Sequence, residues 1–571
     1  MNDIKALYGL WKEKAKDDED LIKELEEISG DEEAILDRFY MNLEFGTAGL
    51  RGVIGAGTNR MNVYTVNQAT QGLADYLNSE FENPGVAIAY DSRIKSDTFA
   101  KSAACVLAAN GIKVYFYERL VPTPMLSFAV RRLNCQSGII ITASHNPSKY
   151  NGYKCYDPNG YQMTDEAADK TYNFIQNVDM FEGVKKADFD TALAEGKICY
   201  IEDWVYEEFY EKVLSASVYD CKGTDFKVIY TPLNGTGNIP VREILNRKGI
   251  ENVSVVKEQE LPDGNFPTCP FPNPEIKQVF ELAIEMGKAQ NADLLLATDP
   301  DCDRVGIAVK TDEGYKLMTG NEVGVMLAEY LLSRRSEMGT MPENPMVVKS
   351  FVTTNLVDKV AESYGAETVS LLTGFKYIGE TITKLEEKGE ADRFIVGMEE
   401  SYGYLSGIHA RDKDAVVASM LICEMACYYK AKGISLYEMM QGIYKKFGTY
   451  LNSLLNFGFE GASGMQKMKD MMNDLRNNPP KEIAGKTVTE ISDYMASKTV
   501  STLTGTEKII NLPKSNVLAY ALTDGCCVIV RPSGTEPKIK VYLTAAADNF
   551  DEAQKLSEAL GADMKKFMGI E

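Results

Sequence analysis

An α/β fold repeated three times, followed by a smaller α+β unit, is predicted by three observations on this chain. Short apolar strands alternate with helical segments in a recurring succession, the closing strands end in chemically loaded turns, and the pattern changes beyond about Phe447. The opening strands of the three repeats are 86–91, 227–231 and 346–350, each short and β-branched. The middle strands, 111–116, 249–256 and 365–372, each begin on a glycine able to end the preceding helix. The closing strands, 138–141, 292–297 and 393–396, feed the turns 142–148, 298–304 and 397–403. Strands alternating with helices favour crossover-connected layers whose ligands gather at strand ends, so each unit contributes one loop to function. The last stretch reads as a Met- and Lys-rich helix over 464–477, strands over 517–522, 526–531 and 538–545, and a terminal helix over 549–568.

A chain of 571 residues exceeds what one core sustains, since single cores stop growing near ~250–300 residues. The apolar fraction of 44% and charged fraction of 25% are those of a globular protein, and a net charge of −22 argues against nucleic acid or an anionic membrane as the main partner. No window approaches the ~18 apolar residues of a membrane span, and the first fifteen residues carry Lys5, Lys12, Glu13 and Lys14, so a reducing cytoplasm is expected. The eleven cysteines form no C-x-x-C and read as reduced core thiols, with Cys423 and Cys427 spaced for one helical face.

The turn Thr142-Ala143-Ser144-His145-Asn146-Pro147-Ser148 delivers a hydroxyl and one of only two histidines to a strand end. A Ser/His hydrolase is disfavoured: neighbours on an extended segment point to opposite sides, no G-x-S-x-G elbow is present, and His409 is the only other histidine. Thr298-Asp299-Pro300-Asp301-Cys302-Asp303-Arg304 sets three carboxylates two residues apart, a donor set suited to Mg²⁺, with a solvated acidic turn as the alternative. An EF-hand is excluded, because Arg304 and Lys310 stand where its glycine and glutamate belong. A serine beside Mg²⁺ and cations suits a phosphoryl carrier, since such transfer needs alignment and charge neutralisation.

Other loops supply further groups. Gly397-Met398-Glu399-Glu400-Ser401-Tyr402-Gly403 offers acceptors and a hydroxyl for a polyol, while His409-Ala410-Arg411-Asp412-Lys413-Asp414 is either an exposed charged loop or a proton-transfer and phosphate site. Arg531-Pro532-Ser533-Gly534-Thr535-Glu536-Pro537-Lys538 has the inventory of a phosphate cradle without Walker A spacing, so ATP is not indicated. In the glycine-rich segment 45–52, Arg51 is placed to face an anion, and Gly374-Phe375-Lys376 adds a lysine after a middle strand.

Together these residues resemble the α-D-phosphohexomutase superfamily, specifically its phosphoglucomutase and phosphopentomutase-like branch. Four loops carry the likeness in order: T-A-S-H-N-P at 142–147, D-P-D-C-D-R at 299–304, G-M-E-E-S-Y-G at 397–403 and R-P-S-G-T-E-P at 531–537. The resemblance implies four domains, three related α/β mixed-sheet domains plus a C-terminal α+β domain around a central cleft. Their expected bounds are 1–203, 204–318, 319–450 and 451–571.

It further implies that Ser144 is the phosphoserine and that Asp299, Asp301 and Asp303, joined by a phosphoseryl oxygen of Ser144, hold Mg²⁺. Arg304 would stabilise the phosphoryl group, and His145, Lys154, Arg51 and Lys413 would stand near the reacting oxygens, with the general acid and base unassigned among them. Glu399 and Ser401 would contact sugar hydroxyls. Gly374 and Lys376 would join the substrate site, and Arg531, Ser533, Gly534 and Thr535 would hold the phosphate not being transferred. Two departures stand out. Gly403 occupies the place of a histidine found in some relatives, which shifts a proton-transfer role toward Lys413, and Pro300 and Cys302 replace glycines without removing a carboxylate.

The expected reaction is interconversion of glucose 1-phosphate and glucose 6-phosphate, with glucose 1,6-bisphosphate as intermediate and activator. Pentose or mannose phosphates are alternative substrates, and a sugar-bisphosphate synthase, a phosphatase or a non-catalytic sugar-phosphate binder are alternative functions. Partners are expected to be small sugar phosphates, with the protein a monomer or homodimer.

Overall fold

The computed structural model describes residues 2–46, 49–459, 461–533 and 538–570. It divides into two bodies. The first comprises Met1–Gly320, Phe375–Gly397 and Ser401–Ser435, and the second Asn321–Gly374, Met398–Glu400 and Leu436–Glu571.

In the first body, two sheets share one plan. The opening strand Gly85–Tyr90 lies parallel between the middle strand Lys113–Phe116 and the closing strand Ser137–Ile141, and Tyr150–Tyr156 returns antiparallel beside the closing strand. The second sheet repeats this with Val228–Thr231 between Val253–Val255 and Leu294–Thr298, and Val305–Thr311 antiparallel beyond. Every residue of Gly85–Tyr90, Ser137–Ile141 and Leu294–Thr298 is buried, which is why these segments read as unbroken apolar runs. Gly49–Val53 and Ile198–Tyr200 extend the first sheet and Gly314–Leu317 the second.

Gly111 and Gly249, at φ +78 and +82, end helices before the middle strands as expected. The returning strands escaped the periodicity reading, because Tyr150-Asn151-Gly152-Tyr153-Lys154 is rich in turn formers and its pattern is broken. So did three N-terminal helices, Asn2–Lys14, Glu19–Glu27 and Glu32–Phe39. Trp11, fully buried, packs edge-on against Phe39, Tyr64 and Phe181 and locks this helical cap onto the first unit.

The second body carries the parallel pair Met346–Ser350 and Glu367–Leu371 and an antiparallel sheet. That sheet runs Thr449–Gly458, Lys538–Ala547, Cys527–Pro532, Leu518–Leu522, Lys486–Asp493, Lys498–Ser501 and Glu507–Ile509 in spatial order. Helices Gly461–Asn477 and Phe550–Phe567 accompany it, giving the expected α+β character. All eleven cysteines are free, as a reduced interior predicts.

Candidate active site

The strand Ser137–Ile141 ends in a turn that places Ser144 at φ +51, a left-handed conformation stabilised where its N–H donates to Thr142 Oγ1 at 2.9 Å. Only 4% of Ser144 is exposed. Its hydroxyl donates to Asp299 Oδ2 at 2.9 Å and lies 3.2 Å from His145 Nδ1. The expectation that Ser144 and His145 diverge along an extended segment is therefore corrected: the left-handed kink turns them toward each other.

Asp299 stands at the end of Leu294–Thr298 and ties its own turn, with Oδ1 accepting from the N–H groups of Asp303 and Arg304 at 3.1 and 3.0 Å. This closure, with Cys302 at φ +50, brings Asp299, Asp301 and Asp303 together so that one oxygen from each lies within 4.8 Å of the others. Asp301 Oδ2 accepts from Lys154 at 3.0 Å and Thr123 at 3.1 Å, and Asp303 Oδ2 lies 3.3 Å from Lys413. The other oxygens, Asp301 Oδ1 and Asp303 Oδ1, are buried without a hydrogen-bond partner among the described residues. Unmet carboxylate oxygens at buried positions suit a hard divalent cation.

The electrostatics describe the same strain. Burial, then the neighbouring carboxylates, push Asp299 well above and Asp303 above the usual carboxylate range. For Asp301 burial acts in that direction too, but Lys154, a hydrogen bond with Asp299 and Lys413 together overcome it and hold the group below the range. His145 is held well below its ordinary value, first by burial and then by Arg304 and Arg51. Arg304 also pairs with Glu275 at 3.0 Å, and Arg51 lies opposite Gly152 in the sheet.

Four family models match the chain in order: the phosphoglucomutase/phosphomannomutase alpha/beta/alpha domains I, II and III over residues 42–181, 207–314 and 319–447, and the C-terminal domain over 475–559. This chain belongs to the phosphoglucomutase/phosphomannomutase family. The family member is 36% identical to a phosphoglucomutase of Staphylococcus saprophyticus, over 97% of this chain and 99% of the relative. It is 37% identical to one of Staphylococcus aureus, over 96% and 97%. Among solved structures, pp63/parafusin (phosphoglucomutase) from Paramecium, in an open form, shares the fold with a TM-score of 0.69 at 18% identity, covering 93% of this chain and 95% of that one.

The glycine at 403 has a steric account. A Cβ on Gly403 would stand 2.1 Å from Lys413 Cδ, so the missing side chain is what lets Lys413 reach Asp303 Oδ2 and, at 3.1 Å, Asp412 Oδ1. We expect Gly403→Ala to lower kcat at least about tenfold while KM changes less, because it displaces Lys413, one of the groups expected near the reacting oxygens. Steady-state kinetics with unchanged kcat would refute that reading.

Of the two readings of 409–414, the structure excludes the exposed charged loop for His409 and Arg411. His409 is 5% exposed and Arg411 is buried; His409 Nε2 pairs with Asp414 Oδ2 at 2.7 Å and Arg411 with Glu386 at 2.7 Å. Neither forms an exposed charged loop, and of its cations it is Lys413 that joins the aspartates. Lys376 pairs with Asp165 at 2.6 Å, and Ser401 is partly buried.

In the second body, Glu399 Oε1 accepts from the Gly374 N–H at 2.8 Å, which brings two of the expected sugar-site residues together. Burial pushes the Tyr542 phenol up to about 12, with Glu400 and Glu399 adding to the rise and Arg531 opposing it. The Ser533 N–H donates to the Lys538 carbonyl at 2.7 Å. Gly534 and Thr535 lie outside the described residues.

Sequence reasoning passed over Arg93. Its fully buried guanidinium donates to the carbonyls of Ser144 (2.5 Å), Asn146, Pro147 (3.0 Å) and Tyr150 (3.0 Å), lies 3.4 Å from Asp91 and stacks 5.1 Å over Phe266. Asp91 in turn accepts from Arg93 N–H and Ser96 Oγ. The available signal was Asp91-Ser92-Arg93, a charged pair at the end of the opening strand, mirroring the loaded turns of the closing strands.

Proposed function

We propose that this protein is a phosphosugar mutase that interconverts glucose 1-phosphate and glucose 6-phosphate through a phosphorylated Ser144 and a glucose 1,6-bisphosphate intermediate. The observation that carries the proposal is the Ser144 hydroxyl, buried and bonded to the first carboxylate of an aspartate triad flanked by two lysines. The relatives named phosphoglucomutase at 36% and 37% identity support the sugar.

In the first half-reaction, the bond between phosphorus and Ser144 Oγ breaks as one forms to a sugar hydroxyl oxygen, whose proton passes to a basic group of the site. Lys154, Lys413 and His145 are the candidates, and Arg51 and Arg304 would offset charge on the phosphoryl oxygens. The second half runs in reverse at the other phosphate after the bisphosphate turns over. Mg²⁺ held by Asp299, Asp301, Asp303 and a phosphoseryl oxygen would supply charge neutralisation. We assign Glu399 and Ser401, with Gly374 and Lys376, to the sugar, and Arg531, Ser533, Gly534 and Thr535 to the phosphate that is not transferred. The domains are taken as 1–203, 204–318, 319–450 and 451–571, in a cytoplasmic monomer or homodimer. Among the described residues no helix is long and apolar enough to cross a membrane.

Intact-protein mass analysis with site mapping, after incubation with glucose 1,6-bisphosphate, tests this. One phosphoryl group on Ser144, gained with Mg²⁺ and not in the presence of a chelator, is expected; phosphate elsewhere, or none, refutes the mechanism. Catalytic efficiency on glucose, mannose and pentose 1-phosphates then decides the substrate, and a preference for a pentose would overturn the glucose assignment.

A further inference from the structure

Thr123 opens helix Thr123–Arg132 of the first body, with proline on either side at Pro122 and Pro124. Proline fixes its own φ and restricts the residue before it, so the backbone here has little freedom. Thr123 is fully buried. The first N–H groups of a helix find no partner inside it, and that of Thr123 donates instead to the Asp301 carbonyl at 2.9 Å. Its hydroxyl donates to Asp301 Oδ2 at 3.1 Å. One residue of the first α/β unit thus grips the middle aspartate of the triad twice, by main chain and by carboxylate.

A carboxylate held on one oxygen presents the other. Asp301 Oδ2 accepts from Thr123 and from Lys154 at 3.0 Å, while Oδ1 is buried without a hydrogen-bond partner among the described residues. The two donors on Oδ2 are not equivalent. Lys154 brings positive charge, which opposes a cation nearby; it also lies 3.9 Å from Asp303 and is a candidate for the proton in the transfer itself. A threonine hydroxyl is neutral, so it orients the carboxylate without competing with a cation, and it takes no part in the proton transfer proposed above.

We infer that Thr123 is a positioning residue for the divalent cation: it fixes Asp301 through Oδ2, so that Oδ1 is the oxygen offered to the metal. This role presupposes that Mg²⁺ is held by Asp299, Asp301 and Asp303, as proposed above. Partners that orient a metal ligand typically govern affinity by about 10–100-fold. Ser127, one turn further along the same helix and also fully buried, bonds Gly160 and Arg411 instead of the aspartates and supplies an internal comparison.

Mn²⁺ is titrated into the metal-stripped full-length protein, and the free ion is counted by electron paramagnetic resonance, with no turnover required. Asp303→Asn should remove a tight site from the parent titration, which marks the triad among the surface carboxylates of a chain whose net charge is −22. Thr123→Val keeps the β-branched shape and loses the donor; it should weaken that site by about 10–100-fold, while Thr123→Ser should stay within about threefold of the parent and Ser127→Ala should leave the site unchanged. A parent with no site that Asp303→Asn removes defeats the magnesium assignment and the role of Thr123 with it. A site that is present but shifts by less than about twofold in Thr123→Val overturns the role of Thr123 alone, as does equal weakening in Ser127→Ala or failure of Thr123→Ser to recover.

Discussion

Ser144→Ala is expected to lower mutase kcat by at least about a thousandfold while leaving the fold intact. The variant loses the hydroxyl's bond to Asp299 and its longer contact with His145 Nδ1, so its unfolding free energy should stay within about 1–2 kcal/mol of the parent. Ser144→Thr sharpens the test. It keeps the hydroxyl, but a β-branched side chain at φ +51 is strained, so it should fall well short of restoring turnover. Full activity of Ser144→Ala, measured with glucose 1-phosphate and bisphosphate present, would sink the phosphoserine mechanism.

Arg93→Ala should be the most damaging single change to the serine loop. Removing one member of a buried ion pair typically costs about 3–5 kcal/mol, and here the Asp91 carboxylate and four carbonyls lose the same partner. A lowered thermal midpoint and faster amide exchange across 142–150 are expected, with kcat falling because the left-handed turn at Ser144 is no longer held. Arg93→Lys should recover only part of this, since a point charge cannot serve four acceptors in a planar fork. An unaltered melting curve for Arg93→Ala would refute the account.

The serine and aspartate turns were legible because each follows a fully buried strand, where polarity changes abruptly from apolar run to functional groups. The recurrence of strand and helix was legible for the same reason, and the glycines before the middle strands marked the helix ends. What could not be read was geometry set by distant partners. The kink that joins Ser144 to His145 depends on a φ that serine seldom adopts, and Arg93 and the returning strand Tyr150–Tyr156 work through backbone groups that carry no side-chain signature. The charged run 409–414 left two readings open because its composition suits water as well as a site, whereas burial of Arg411 and His409 rests on Glu386 and Asp414, the former more than twenty residues away in sequence.

Arg93 holds the serine loop by its carbonyls and leaves the Ser144 side chain untouched. An enzyme that cycles between a hydroxyl and a phosphate ester at one position changes the charge of that side chain at every half-turnover. If Ser144 is the phosphoserine proposed above, a support that grips the main chain leaves the side chain free to carry either group without breaking a hydrogen bond of the loop.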